Sequence, residues 1–261
     1  MGLIILKNDK YLNSHFSNIY LVEGSPYYVG DLIDLQNEES NQWNKLYDII
    51  VGSNHILNEQ SDVNYYDKIF AKAMNNLGRL GEAEALKDSV NLSDCKKMID
   101  VGGGSGLYSV VFCRNYPNLK STILDRVEVL AITKEMIGYS KESTQITLRP
   151  ADITTDDFGK NIDVVLVSDI MYDELIAEPI LKSAWNCLRK NGILIVRGYY
   201  SDPENSKSLF GALFFLNLLV FNPNRTILTI SSLRKNVIER GFTIIKTSPL
   251  TERSIVLIAK K

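Results

Sequence analysis

The chain has 261 residues, of which 45% are hydrophobic and 23% charged, with 29 basic side chains against 31 acidic. This is globular composition with enough length for a sizeable core, so collagen-like, low-complexity and disordered chains are excluded. A net charge of −2 gives no overall basic field to track a phosphate backbone, and no nucleic-acid partner is expected.

Three cysteines, Cys95, Cys113 and Cys187, lie far apart with no CxxC pair. A zinc site, a redox pair or a disulfide framework is not expected, and a reducing cytoplasm fits. The opening MGLIILKNDK carries its lysines after the apolar run rather than before it, unlike a secretory signal. The most apolar run, 209–221, has 13 residues including Asn217, too few to span a bilayer. The two histidines, His15 and His55, both precede every motif below, so no His-based triad or multi-His metal site is expected in the main domain.

In chain order, LIILK (3–7) and IYLV (19–22) read as short strands about a polar NDK turn. Residues 31–89 read as helical, because LYDIIVGSNHIL and YYDKIFAKAMNNLGRLGEAEALKDSV repeat apolar residues every three or four positions. After a polar linker at 91–94 the character changes. KKMIDV is a strand, GGGSG a turn, and 107–115 a helix stopped near Pro117. STILD is a strand followed by a helix over 129–139. ITLRPAD and IDVVLVSDIM are strands, the second leading to a helix over 176–189 ended by Asn191-Gly192. ILIVRGYY is a strand, 206–221 and 231–240 are helical, and FTIIKTSP and RSIVLIAKK are the last two strands.

Alternating strands and helices imply right-handed crossovers and a parallel sheet buried on both faces. Only 250–252 join the last two strands, too few residues for a crossover, so these form an antiparallel hairpin. The expected fold is a doubly wound, Rossmann-like α/β sheet of seven strands, one reversed. A small helical and hairpin segment (1–92) precedes the main domain (93–261).

The strongest motif is Asp100-Val101-Gly102-Gly103-Gly104-Ser105-Gly106, between a strand and a helix. Glycines there let the chain turn sharply and bring bare backbone against a ligand, at a helix start with free N–H groups. Asp125, 19 residues past Gly106, ends the next strand, where a carboxylate accepts hydrogen bonds from ribose hydroxyls; Arg126 follows it. The dinucleotide fingerprint GxGxxG fails in both registers, since its third glycine falls on Leu107 or its second on Ser105, and no GK[ST] follows. The string DxGxGxG suits S-adenosylmethionine, which carries an amino and a carboxylate group but no pyrophosphate. Asp152, at the end of ITLRPAD, is placed beside Asp125 to accept an adenine amino group, with Ile153 on the ring; a plain surface carboxylate is its alternative.

IDVGGGSG, NYPNLKSTILDRVEV, RPADI, GILIV and RTILTISSLRKNVIERGF, with Phe70 and Met74 on the preceding helix, resemble the class I methyltransferases. More narrowly, they resemble the O-methyltransferases that include the caffeate, acetylserotonin and hydroxyneurosporene enzymes. The resemblance implies S-adenosylmethionine as cofactor. It assigns Gly102 with its neighbours Gly103 and Gly104 to the methionine portion, Asp125 to the ribose, and Asp152 with Ile153 to adenine, and Asp100 and Arg126 are counted with these cofactor-binding residues. A family lysine contact falls on Ser168. The resemblance also implies an N-terminal winged-helix dimerisation domain, of which only the last part is present: GLIILKNDKYLNSHFSNIYLV matches its wing and SPYYVGDLI the link. A homodimer is the corresponding expectation.

The family's catalytic histidine aligns with Tyr172, and its two glutamates with Arg197 and Asn224. Candidate replacements are Tyr172, Asp169 and Asp173, all at or just past a strand's C-terminal end. A phenol is a poor base at its ordinary pKa of about 10, and Asp173 also suits the start of the following helix. The apolar run SLFGALFFLNLLVFN (208–222) suits a pocket wall, a dimer surface or a core helix. The expected activity is methyl transfer from S-adenosylmethionine, most simply O-methylation of a small apolar or aromatic acceptor. The rivals are an N- or C-methyltransferase, a non-catalytic cofactor-binding regulator and a nucleotide-linked oxidoreductase.

Overall fold

A computed structural model describes residues 2–52, 63–200 and 209–261. The chain opens with a hairpin of β1 (Ile4–Lys7) and β2 (Lys10–Asn13). Asn8 and Asp9, both at positive φ, form the two-residue turn whose twist suits adjoining strands. The expected strand at 19–22 is not found. So tight a turn pairs the residues immediately after it, and Ser14 then accepts from Ser17 N–H to start helix α1 (His15–Tyr20).

Helices α2 (Gly30–Trp43), α3 (Leu46–Ile50), α4 (Val63–Leu77) and α5 (Ala83–Asp88) follow. The helical reading of 31–89 is interrupted between α4 and α5 by a π-type turn, Gly78–Glu82, where Gly81 takes φ +111°. His55 and the expected helix across it fall outside the described residues.

The main sheet consists of β3 (Lys97–Val101), β4 (Lys120–Asp125), β5 (Ile146–Pro150), β6 (Ile162–Ser168), β7 (Leu188–Gly198), β8 (Thr243–Pro249) and β9 (Ile255–Lys260). Their order is β5-β4-β3-β6-β7-β9-β8, with β9 alone reversed, as the short β8–β9 connection requires. Helices α6 (Leu107–Asn115), α7 (Val127–Ile137), α8 (Glu174–Cys187), α9 (Leu209–Phe221) and α10 (Ile230–Glu239) complete the fold. The alternation along β6 divides the core. Val165 and Val167 pack into one buried cluster, with Ile180 of α8 and Val237 of α10. Val164 and Leu166 pack into the other, with Leu86 of α5 and Phe112 of α6.

Two boundaries differ from expectation. The helix expected to run to 189 stops at Cys187, because Leu188 already pairs with Ile162; Asn191-Gly192 instead lies at an irregularity inside β7. The strands expected over ITLRPAD and IDVVLVSDIM end at Pro150 and Ser168, leaving Asp152 and Asp169 in the loops beyond. Residues 206–208 of the expected helix before Phe221 lie outside the described residues. Phe210, Phe214 and Leu218 of α9 pack on the core, and Trp43 of α2 donates to Asn217 at 2.9 Å. No helix among the described residues is long and apolar enough to cross a membrane.

Chain order reverses direction at β3, which has β4 on one side and β6 on the other. Strand C-termini flanking such a switch point leave a crevice. The glycine turn leaves β3 there, Asp125 ends β4, and Ser168-Asp169 leave β6.

Candidate active site

The glycine turn is shaped by what a side chain would strike. A Cβ at Gly103 would lie 2.8 Å from Ile123 and 2.9 Å from the Asp100 carboxyl, and one at Gly106 would lie 2.7 Å from Ile137 at a φ of +76°. Glycine is therefore required at both positions. The resulting loop aims the Gly104 N–H at Asp125 Oδ2 (3.0 Å), while Asp125 Oδ1 accepts the Arg126 N–H (2.8 Å). Burial raises the Asp125 carboxyl above its usual range, against the opposing pull of those two N–H groups.

Asp100 lies beneath the turn and is 1% exposed. Its Oδ2 accepts from Ser109 (2.7 Å), whose hydroxyl also meets Ser121 (2.7 Å). Burial pushes the Asp100 carboxyl up to about 6, since little of water's stabilisation of its charge is replaced.

A cavity of about 220 Å³ opens over the turn. Gly102, Gly103 and Gly104 floor it, Asp100, Asp125, Ser168 and Asp169 form its walls, and Phe70, Ala71 and Met74 of α4 cover it. Ser168 Oγ is buried with no hydrogen-bond partner. Asp125, Arg126 and Ile153 also line a shallower adjoining cleft that contains Asp152. Asp152 Oδ1 accepts from Thr154 N–H (2.8 Å) and Oγ1 (2.6 Å), contacts that hold its carboxyl below the ordinary value. Between cavity and cleft, Arg126 Nη2 reaches Asp67 of α4 at 2.9 and 3.0 Å.

The three candidate catalytic residues are not equivalent. Asp169, in the left-handed region at φ +59°, lines the cavity. Tyr172 is 6% exposed and sits in the core behind it, donating to Asp169 Oδ1 (2.6 Å) and accepting from Tyr199 N–H (3.0 Å). Its ring contacts Tyr200 and Phe214 at 5.4 and 5.0 Å between centroids, and burial raises its phenol further above the ordinary range. Asp173 caps α8 through Leu175 N–H (3.0 Å), with Arg225 3.9 Å away. Asn224 lies in an exposed loop.

Sequence reasoning missed what Asp169 is attached to. Its Oδ2 pairs with Arg197 Nη1, and Arg197 Nη2 meets Glu82 Oε2 at 2.7 Å. The guanidinium is 1% exposed and lies 4.5 Å from the Tyr199 ring centre. Glu82, in the π-type turn, also accepts from Thr251 and Ser254 at 2.6 Å each. Burial pushes the Glu82 carboxyl up, but Arg197 and the two hydroxyls outweigh it and hold it low. One signal for this network was legible: an arginine inside ILIVRG must find carboxylates once buried. Glu82, 115 residues earlier, carried none.

Four carboxylates, Asp67, Asp100, Asp125 and Asp169, thus line the cavity, and the cation that lines it with them, Arg126, is engaged by Asp67. Such walls attract a cation and repel a pyrophosphate.

The chain matches the family model of the O-methyltransferase domain over residues 29–242. It is 27% identical over 229 residues to a 3-hydroxy-5-methyl-1-naphthoate 3-O-methyltransferase of Streptomyces sahachiroi, an alignment covering 84% of this chain and 66% of that enzyme. An L-tyrosine C(3)-methyltransferase of Streptomyces lavendulae is 26% identical over 149 residues, covering 56% of this chain and 40% of the relative. Human N-acetylserotonin methyltransferase, solved in complex with SAM, superposes with a TM-score of 0.85 at 20% identity, over 100% of this chain and 79% of that one. The chain spans just under two thirds of the naphthoate enzyme's length. By its domain match over most of its length, the chain belongs to the O-methyltransferase domain family.

Proposed function

We propose that the chain transfers a methyl group from S-adenosylmethionine to the oxygen of a small apolar or aromatic acceptor. The observation that carries this reading is the acid-walled cavity over the glycine turn. The cofactor bears a sulfonium and an ammonium group, and Asp100, Asp125 and Asp169 offer charge of the opposite sign, while the lining cation Arg126 is already taken by Asp67. The unpartnered Ser168 hydroxyl leaves a hydrogen-bonding atom for the ligand. Asp100 and the backbone of Gly102, Gly103 and Gly104 would hold the methionine portion, Asp125 and Arg126 the ribose, and Asp152 with Ile153 the adenine.

When bound, the cofactor supplies a methyl carbon activated by sulfonium. The protein's part is alignment and exclusion of water, which in well-oriented reactions is worth about 7–11 kcal/mol. Phe70, Ala71 and Met74 supply the dry cover. In this reading Asp169 accepts the acceptor's hydroxyl proton, an assistance worth roughly 10²–10⁴-fold. Tyr172 holds Asp169 in place rather than taking the proton, because its oxygen is already shared between Asp169 and Tyr199 N–H. Asp173 serves α8.

That engagement of Tyr172, where the family places a histidine, also favours a second reading: transfer to carbon or nitrogen, or cofactor binding without turnover. Residues 93–261 form the catalytic unit in our reading, and 1–92 supply the cover and a pairing surface. The apolar side chains exposed on the first hairpin, Ile4 and Leu6 among them, support a homodimer, and the three buried free cysteines fit the cytoplasm.

Labelled methyl incorporation across phenols, amines and activated carbons, with the product mapped by NMR, tests the assignment. Label on oxygen is expected. Label confined to carbon or nitrogen, or tight cofactor binding with no label anywhere, would favour the second reading.

A further inference from the structure

The guanidinium of Arg197 is shared between two carboxylates: Nη1 serves Asp169 and Nη2 serves Glu82, while Nε has no partner. An arginine fork ordinarily engages one carboxylate through two parallel bonds. Here Glu82 claims half of the fork, and Thr251 and Ser254 fix Glu82 from the β8–β9 connection. Asp169 is left with one N–H from the guanidinium and one O–H from Tyr172. The three charges sum to −1, and of the three only Asp169 lines the cavity. Glu82 is buried and does not itself line that cavity.

We infer that Glu82 is a positioning residue: by holding Arg197 away from full pairing with Asp169, it keeps the cavity-wall carboxylate able to take up a proton. The inference rests on the reading of Asp169 as proton acceptor. The groups around Asp169 are Tyr172 from its own loop, Arg197 from β7 and Tyr199 just after it, Tyr108 from α6, Glu82 behind Arg197, and, lining the same cavity, Asp100, Asp125, Arg126 and Asp67 of α4. Among these, Glu82 bears a charge that can be changed without touching the cavity wall.

Two variants of the full chain move Asp169 in opposite directions. In Glu82→Gln the amide oxygen still accepts from one hydroxyl and the amide NH2 donates to the other, but the competing charge is gone and Arg197 belongs to Asp169. The carboxyl titration of Asp169, read by ¹³C NMR and assigned with Asp169→Asn, then moves to lower pH by about half a unit or more. The acid limb of the kcat profile follows, and kcat at neutral pH falls roughly 3–10-fold, the mark of a weaker proton acceptor. The dissociation constant of S-adenosylhomocysteine by calorimetry stays within about twofold, since Glu82 is not in its cavity. In the double variant Thr251→Val, Ser254→Ala, Glu82 loses two donors and leans harder on Arg197, so the Asp169 midpoint moves to higher pH; this variant carries the test if Glu82→Gln fails to fold.

An unmoved Asp169 midpoint in folded Glu82→Gln, or shifts of the same sign in both variants, would overturn the inference. Opposite shifts without turnover of any acceptor by the parent protein would uphold the positioning role and refute methyl transfer instead.

Discussion

The two ends of the cavity are built on different principles. At the glycine turn, backbone conformation does the shaping: Gly103 and Gly106 admit no Cβ, and the loop presents N–H groups beside Asp125. At the other end the shaping is done by charge. Asp169, Arg197 and Glu82 come from a loop, a strand end and a distant turn, and Arg197 pairs with both carboxylates. A conformational site is tolerant of side-chain changes around it but intolerant of an added methyl group. A charge-built site tolerates reshaping but not the loss of a member.

The largest expected effect falls on the charge-built end. Arg197→Ala leaves Asp169 and Glu82 facing each other without a counter-charge, and should cost about 3–5 kcal/mol in urea unfolding. A loss under about 1 kcal/mol would mean that water replaces the guanidinium and that the network is not a buried one.

Next is Asp125→Ala at the conformational end. If Asp125 accepts from the ribose hydroxyls as proposed, its removal should weaken S-adenosylmethionine by roughly 10²-fold, with little change in melting temperature. Gly103→Ala reverses that pattern: the new Cβ presses on Ile123 and Asp100, so stability should fall by about 1–3 kcal/mol. Near-wild-type melting of Gly103→Ala would indicate that the turn has slack.

Asp100 gives the comparison a pH axis. Its folded carboxyl titrates near 6, above the unfolded value of about 3.8, so the folded state holds the extra proton between those values. Stability contributed by Asp100 is present below about pH 4 and is lost as pH rises toward 6, by on the order of 2–3 kcal/mol. A bound ammonium group favours the ionised form, so cofactor affinity should strengthen about tenfold between pH 5 and 7. Asp100→Asn should flatten both dependences; unchanged slopes in that variant would assign the titration elsewhere.

The smallest effect is expected from Tyr172→Phe, which removes one bond to Asp169 and leaves the Tyr199 N–H unpaired, for about 1–2 kcal/mol.

The same contrast explains what the sequence made legible. The sheet, its reversed strand and the turn follow from local patterns: apolar runs, glycines in DxGxGxG, and a three-residue connection too short to cross over. Asp100, Asp125 and Ser168 line the cavity over the turn; the first two were legible from the glycine motif and a strand end, the third from the family resemblance. The charge network escaped because pairing across 115 residues leaves no periodicity. Tyr172 and Asp169, three positions apart, were both candidates to replace the family's histidine until burial separated them: one in the core, one on the wall. Asn191-Gly192 misled for a related reason, since strand pairing at Leu188 overrides a local helix-stop signal.

The central claim is that an acid-walled hollow over bare backbone receives a sulfonium nucleoside, and calorimetric titration of the full chain tests it most directly. S-adenosylmethionine and S-adenosylhomocysteine should both bind, NAD should not, and Asp125→Ala should abolish most of the affinity. Binding of NAD in preference to both, or undiminished binding by Asp125→Ala, would contradict the account.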